Sequence, residues 1–93
     1  LGDTSLEHEV LAMFAGQAAE LNAALAQLPS DAAALAHKLK GSARAIGAVH
    51  VATAATELEA ALRNGTDPAE PLAALNDTIS QAREAIDAIL HRS

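Results

Sequence analysis

The chain has 93 residues and a mass of 9.4 kDa, so we predict one domain over residues 1–93. Its 12 acidic residues outnumber the 6 basic ones and give a net charge of -6, which disfavours nucleic-acid binding because that role needs a basic face. The sequence has no cysteine, tryptophan or tyrosine, which excludes disulfides and disfavours aromatic stacking platforms.

Apolar residues make up 51% of the chain, and more than half of them are alanine. Alanine and leucine are strong helix formers and β-branched residues are scarce, so the composition predicts an all-helical domain with a thin core. No run of about 20 strongly apolar residues is present, and we expect a cytoplasmic protein without a membrane segment.

The first predicted helix begins at Thr4 or Ser5, where Thr4 and Glu7 fit a capping box, and it ends before Pro29. Gly16 lies within this helix and should weaken it by about 1 kcal/mol relative to alanine. Apolar residues recur at steps of three and four and define one buried face. These residues are Leu6, Val10, Met13 or Phe14, Ala18, Leu21, Leu25 and Leu28.

Three further helices follow. The second runs from about residue 31, with Asp31 as its cap, and stops at Gly47. The third stops at Gly65, and the fourth starts with Asp67 as a cap and Pro68 at its first helical position. The predicted buried stripes are Leu35, Leu39, Ala43 and Ile46, then Val51, Ala55, Leu58 and Leu62, then Leu72, Leu75, Ile79, Ala82, Ile86 and Ile89 or Leu90.

Steps of three and four in every stripe are typical of helices that cross at roughly 20°. Short connections make sequential helices antiparallel neighbours. The predicted fold is therefore all-α, an antiparallel up-down four-helix bundle. A long coiled coil is disfavoured because Pro29, Gly47 and Gly65 interrupt the chain.

The second helix carries an unusual distribution of charge. Residues 32–56 contain no aspartate or glutamate but include Lys38, Lys40 and Arg44, so this segment carries +3 and the rest of the chain -9. At 100° per residue, His37 lies about 160° from the two core leucines of this helix and should face solvent. The residues on its side of the helix are Lys40, Gly41 and Arg44, with Ala33 and Ala34 one turn earlier.

This combination of residues suits phosphoryl chemistry. A neutral imidazole is a nucleophile at physiological pH, and a phosphoryl group that His37 accepts would bring negative charge with it. Lys40 and Arg44 could stabilise that charge through charge-assisted hydrogen bonds. Gly41 has no turn to make, and its missing Cβ would let a partner approach the imidazole closely.

The run Ala-His-Lys-Leu-Lys-Gly-Ser over residues 36–42, followed by Ile-Gly-Ala at 46–48, resembles the signature of histidine phosphotransfer (HPt) domains of bacterial phosphorelays. A Leu-Glu pair at 58–59 also falls where that family carries one on the next helix. The resemblance covers nearly the whole chain and implies a helical bundle in which His37 accepts the phosphoryl group, Lys40 supports it and Gly41 clears space. Lys38 and Ala43 depart mildly from the pattern, which often has Thr or Ser at the first and Ser at the second.

The resemblance further implies a carrier without kinase activity or a cofactor of its own. Its partners would be response-regulator receiver domains, with Mg²⁺ bound on the receiver, and a sensor or hybrid histidine kinase. We expect a monomer. Two alternatives are a phospho-accepting domain of a larger chemotaxis-type histidine kinase and a non-catalytic helical adaptor in which His37 is incidental.

Other polar residues have plainer interpretations. Arg44 is as compatible with a solvated surface residue as with a phosphate contact, and Lys38 is expected to face solvent or a partner. Met13 and Phe14 are interpreted as core residues; the alternative is that one of them forms a partly exposed edge of a docking face beside His37, since the stripe needs only one of the two. The remaining candidates are interpreted as surface groups: His8, His50 and His91, which lack metal-ligand spacing, and the carboxylates Glu57, Glu59, Glu84 and Asp87.

Overall fold

The computed structural model describes residues 4–91, which form four helices and no strand. The helices are α1 (Thr4–Ala26), α2 (Ala32–Ile46), α3 (Val49–Asn64) and α4 (Ala69–Leu90). Each helix packs against its neighbours in sequence, and α4 closes against α1. The result is a rod of 47 × 19 × 19 Å, and the predicted all-α four-helix bundle is confirmed.

The core is narrow and all four helices contribute to it. Each helix supplies one fully buried leucine, and each such side chain stabilises the fold by roughly 2 kcal/mol. Buried alanines fill the positions between them and let the helix backbones approach closely. The leucines are Leu25, Leu39, Leu58 and Leu75, and the most deeply buried alanines are Ala18, Ala36, Ala43 and Ala55. This core fixes the orientation of α2 and therefore the direction in which its outer face points.

The long helices extend past the short ones. α1 has 23 residues and α4 has 22, against 15 in α2 and 16 in α3. The excess corresponds to about 10 Å of helix, and the up-down order places it at the start of α1 and the end of α4. The prediction that Leu6 and Val10 belong to the buried face is wrong, because both are exposed. Leu6 lies in the first turns of α1, which extend past the short helices, whereas Val10 lines an open groove between α1 and the end of α2.

The loop after α1 corrects a second prediction. Leu28 was expected in the buried face, but it lies beyond the end of the helix, is exposed, and has a left-handed backbone with φ of 48°. Its amide N–H donates to the Leu25 carbonyl at 2.9 Å and closes the last turn. The buried face of α1 therefore ends at Leu25.

The glycine stops of α2 and α3 are confirmed. Gly47 and Gly65 have φ of 82° and 70°, which a residue with a Cβ rarely adopts. The amide of Ala48 then donates to the carbonyl of Ala43 at 2.8 Å, and this bond satisfies a free carbonyl at the end of α2. The resulting turn brings α3 back against α2.

The predicted caps have different outcomes. An Asp67 carboxylate oxygen accepts the amide of Ala69 at 3.0 Å, as expected for a capping side chain, but α4 begins at Ala69, so Pro68 immediately precedes the helix rather than taking its first position. Asp31 precedes α2 but makes no side-chain cap bond; instead the amide of Ala32 donates to the carbonyl of Pro29 at 3.0 Å. The proposed cap at Thr4, with its partner Glu7, involves a side chain outside the described part of the structure.

Candidate functional site

His37 lies on the outer face of α2. Its side chain is 62% exposed, while Ala36 and Leu39 on the opposite side of the helix are fully buried. The predicted orientation of this histidine toward solvent is confirmed. The imidazole is nevertheless not free to rotate, because one of its ring nitrogens contacts α3.

That contact is with Glu59. The Nδ1 of His37 lies 3.0 Å from the Oε2 of Glu59, and the Nζ of Lys40 lies 2.8 Å from the Oε1 of the same carboxylate. The Nε of Arg63, one turn further along α3, lies 2.9 Å from Oε2. A single carboxylate therefore joins three nitrogen-bearing side chains of two helices.

The position of Glu59 corrects the interpretation of this residue as a solvated surface group. Its exposed fraction is 8%, and it follows the buried Leu58 on the side of α3 that faces α2. Burial of an unpaired carboxylate would be strongly unfavourable. Lys40, Arg63 and His37 provide the hydrogen-bond donors that make this burial possible.

The same contacts control the charge of Glu59. Its pKa is lowered from 4.5 to about 2, chiefly by the hydrogen bond from Lys40, with further lowering by those from Arg63 and His37 and by the charge of Lys40. Burial acts in the opposite direction, and the hydrogen bonds outweigh it. Glu59 is therefore ionised throughout the physiological range.

An ionised carboxylate fixes the tautomer of a neutral His37. Because Glu59 has no proton to give, its Oε2 can only accept, and the Nδ1–H of His37 must be the donor. The remaining ring nitrogen, Nε2, then carries the lone pair. This nitrogen belongs to a largely exposed side chain, so the site presents a nucleophile of defined orientation to solvent.

Small residues surround this nucleophile, as predicted. Gly41 is exposed, and a Cβ built on it would meet no heavy atom of the described residues within 4 Å apart from its chain neighbours and the backbone of its own helix. Ala34, one turn before His37, is exposed as well, and Ala33 is partly buried. Packing within the chain therefore gives no reason for glycine at position 41, since an alanine there would meet no obstacle.

The two other basic residues of α2 lie apart from the carboxylate cluster. Lys38 is exposed, and Arg44 lines a shallow cavity of about 240 Å³ between α2 and α3, with Thr53 and Thr56 on its other side. Neither residue forms an ion pair with another residue in the range 4–91. Lys40 thus shares the carboxylate of His37, whereas Arg44 lies seven residues after His37, about 10 Å along the helix axis.

An apolar groove of about 430 Å³ lies between α1 and α2. Phe14 is buried at the base of this groove, but Met13 is 73% exposed at its edge. The interpretation of both as core residues is therefore wrong for Met13, and the alternative of one exposed residue holds. The α2 side of the groove consists of Ser42, Ala45 and Ile46, which lie one to three turns after His37 on the same helix.

Comparison with known protein families agrees with the resemblance seen in the sequence. The family model described as the Hpt domain matches residues 9–90, which include all the residues of this cluster. The chain is an HPt domain. No curated protein and no solved structure matches it significantly.

Membership of this family establishes the general role of the chain. HPt domains are phosphoryl carriers of two-component signalling, and they are not kinases. Within residues 4–91, no helix has both the length and the apolar character needed to cross a bilayer.

The sequence contained a signal for the buried carboxylate of this HPt domain. On a helical projection Glu59 lies about 70° from the middle of the buried stripe of α3, whereas Glu57 lies on the opposite side. A carboxylate at the edge of a buried stripe needs basic partners, and α2 is the helix with basic residues and no acids. Arg63 lies four residues after Glu59, which is the spacing of a helical ion pair.

Acid sensitivity gives a test of this buried cluster. The folded-state pKa of Glu59 is about 2, below the 4.5 of an ordinary glutamate, so its stabilising effect is fully present above about pH 5 and is lost as the pH falls toward 2. We expect Glu59→Gln to lower the free energy of unfolding at pH 7 by roughly 2 kcal/mol. This is less than the full pKa shift of Glu59 corresponds to, because solvent screens its contacts with the half-exposed His37 and Arg63.

The control is Glu57→Gln, which removes the same charge from the exposed side of α3. Urea unfolding of the three proteins between pH 2 and 7 should show a gap between wild type and E59Q that narrows below pH 5, while E57Q follows wild type. A gap that stays constant down to pH 2 would show that the charge of Glu59 does not stabilise the fold.

Proposed function

We propose that this HPt domain relays a phosphoryl group between aspartates of response-regulator receiver domains, with His37 as its carrier. The observation that carries the proposal is the hydrogen bond from His37 Nδ1–H to the ionised Glu59. It holds the imidazole in the tautomer whose Nε2 is both nucleophilic and exposed.

The proposed transfer requires no chemistry beyond that nitrogen. The Nε2 lone pair attacks the phosphorus of an aspartyl phosphate, a new N–P bond forms, and the aspartate leaves with the electrons of its O–P bond. The ring gains positive charge, which Glu59 stabilises through the proton that remains on Nδ1. Attack by the aspartate of a second receiver on this phosphohistidine reverses the step and regenerates neutral His37.

The charges on the phosphoryl oxygens need partners during transfer. We propose that Lys40 is the nearest cation of this chain and that the Mg²⁺ required by the reaction is bound by the receiver. Arg44 would contact the receiver or its phosphoryl group from two turns along α2. The domain would supply no nucleotide site and no kinase activity, in keeping with a carrier.

The surroundings of His37 favour a large partner rather than a small substrate. Ala33, Ala34 and Gly41 leave room for the active-site loops of a receiver, and Lys38 offers an exposed charge for partner choice. The apolar edge at Met13 extends this surface across α1. We propose that the domain acts as a monomer, because its core is completed by its own four helices. We also propose that it acts in the cytoplasm.

The direct test is transfer from a receiver domain phosphorylated on aspartate with a ³²P label. The purified domain should become labelled, the label should be acid-labile and alkali-stable as expected for phosphohistidine, and a second receiver should remove it. Profiling against a set of receivers would identify the partners.

Two other results would point elsewhere. Labelling by an ATP-binding kinase domain with no transfer from any receiver would favour the phospho-accepting domain of a chemotaxis-type kinase. Failure of labelling by every receiver and kinase, with partner binding intact, would favour a helical adaptor and would overturn the relay.

A further inference from the structure

Arg63 helps to satisfy the buried Glu59 carboxylate, but it is the member of the Glu59 cluster that takes no part in the phosphohistidine step. Its Nε contacts Oε2 of Glu59 at 2.9 Å, the same oxygen that accepts from His37. Its side chain is 56% exposed, and it comes from the last turn of α3 rather than from α2. Glu59 already has donors from Lys40 and His37, one on each of its oxygens, and Arg63 adds a second cation to this one buried carboxylate.

The first consequence of the contact is geometric. Lys40 binds Oε1, whereas Arg63 and His37 share Oε2, so the carboxylate has donors on both of its oxygens. Arg63 lies on the same helix as Glu59 and therefore holds Oε2 without any help from α2. A carboxylate anchored in this way presents its oxygen to the imidazole in one orientation.

The second consequence is electrostatic. Glu59 alone would place a negative charge next to a histidine that must carry a phosphoryl group of up to two negative charges. Lys40 cancels that charge, and Arg63 makes the cluster of these three side chains net positive by one. With Arg63 removed, the cluster would be neutral and the incoming phosphoryl group would lose the attraction of one cation.

We propose that Arg63 is a positioning residue for phosphotransfer, which orients the Glu59 carboxylate toward His37 and makes the cluster around the phosphoryl group net positive. This inference rests on the proposed function and adds a residue to it. Arg63 acts through Glu59 and does not itself attack or donate to the phosphoryl group.

The test compares Arg63→Gln with Arg63→Lys and with Arg83→Gln, which removes an exposed arginine of α4 outside the cluster. Two phosphoryl donors are used: a ³²P-labelled receiver domain, and phosphoramidate, a small donor that releases ammonia as the N–P bond to histidine forms. Initial rates are measured over a range of receiver concentrations, and thermal unfolding confirms that each variant is folded.

We expect R63Q to slow labelling about 10-fold both by phosphoramidate and by saturating receiver, with the half-saturating receiver concentration unchanged. R63K should recover at least half of the lost rate, and R83Q should match wild type. If Arg63 served receiver docking instead, the half-saturating concentration would rise and the phosphoramidate rate would stay at the wild-type value, which would overturn the inference.

The small donor also separates this inference from the relay itself. If phosphoramidate labels His37 in the wild type while no receiver does, the relay fails and the comparison of R63Q with wild type still decides the role of Arg63. If R63Q equals wild type with both donors, the relay stands and the positioning role is rejected. If neither donor labels the wild type, both proposals are wrong.

Discussion

His37→Gln should abolish labelling of the domain by a phosphorylated receiver, with a loss of at least about 1,000-fold, because glutamine has no nucleophilic nitrogen. The fold should survive the change. His37 is largely exposed and contributes one hydrogen bond to Glu59, so the free energy of unfolding should fall by about 1 kcal/mol or less. Initial rates of ³²P transfer measure the first effect, and urea unfolding measures the second.

The matched control is His50→Gln. His50 is an exposed histidine near the start of α3, outside the carboxylate cluster. H50Q should therefore be labelled at the wild-type rate. If H37Q still acquires acid-labile label while H50Q does not, the carrier has been assigned to the wrong helix.

The sequence was sufficient to predict the fold because each of its signals acts locally. The glycines at 47 and 65 end helices through their own backbone conformation, and the three-and-four steps of apolar residues mark the face that each helix buries. The errors at Leu6 and Val10 have a non-local cause. Burial of Leu6 depends on the relative lengths of α1 and α2, and burial of Val10 depends on how closely the end of α2 packs against α1. The apolar pattern of α1 alone contains no information about either.

The candidate site likewise has features that depend on one helix, which the sequence predicts, and features that depend on two packed helices, which it does not. The outward direction of His37 and the small residues beside it follow from the geometry of one helix, and the structure agrees with both. The contacts of Glu59 with Lys40 and Arg63 depend on how α3 lies against α2. A helical projection places Glu59 near the buried stripe, but only the packed pair of helices determines which of its neighbours donates to which oxygen.

Gly41→Leu should separate stability from function, since it changes them in opposite directions. Glycine inside a helix is less favourable than alanine or leucine by about 1 kcal/mol, and a Cβ at position 41 meets no described side chain and no other helix within 4 Å. The melting temperature should therefore rise, by roughly 4–8 °C for each kcal/mol. Transfer from a receiver should instead fall about 100-fold, because the new side chain occupies the surface next to His37 that a partner must approach.

Gly16→Leu is the matched control for this change. Gly16 is also an exposed glycine inside a helix, with open space at its Cβ position, and it lies on α1 away from the His37 face. G16L should gain a similar increment in melting temperature and keep the wild-type transfer rate. That result would show that stabilising a helix does not by itself slow transfer. The loss in G41L would then come from the place of its new side chain beside His37.

A small phosphoryl donor that does not contact α2 at position 41 shows why transfer from the receiver is slower in G41L. Phosphoramidate should label G41L at close to the wild-type rate, because the Nε2 of His37 and its hydrogen bond to Glu59 are unchanged and only the approach of a large partner is blocked. Equal losses with receiver and phosphoramidate would mean that leucine disturbs the imidazole itself. Unchanged transfer from the receiver would mean that Gly41 does not serve partner access, and the glycine in the middle of α2 would then have no role at the site.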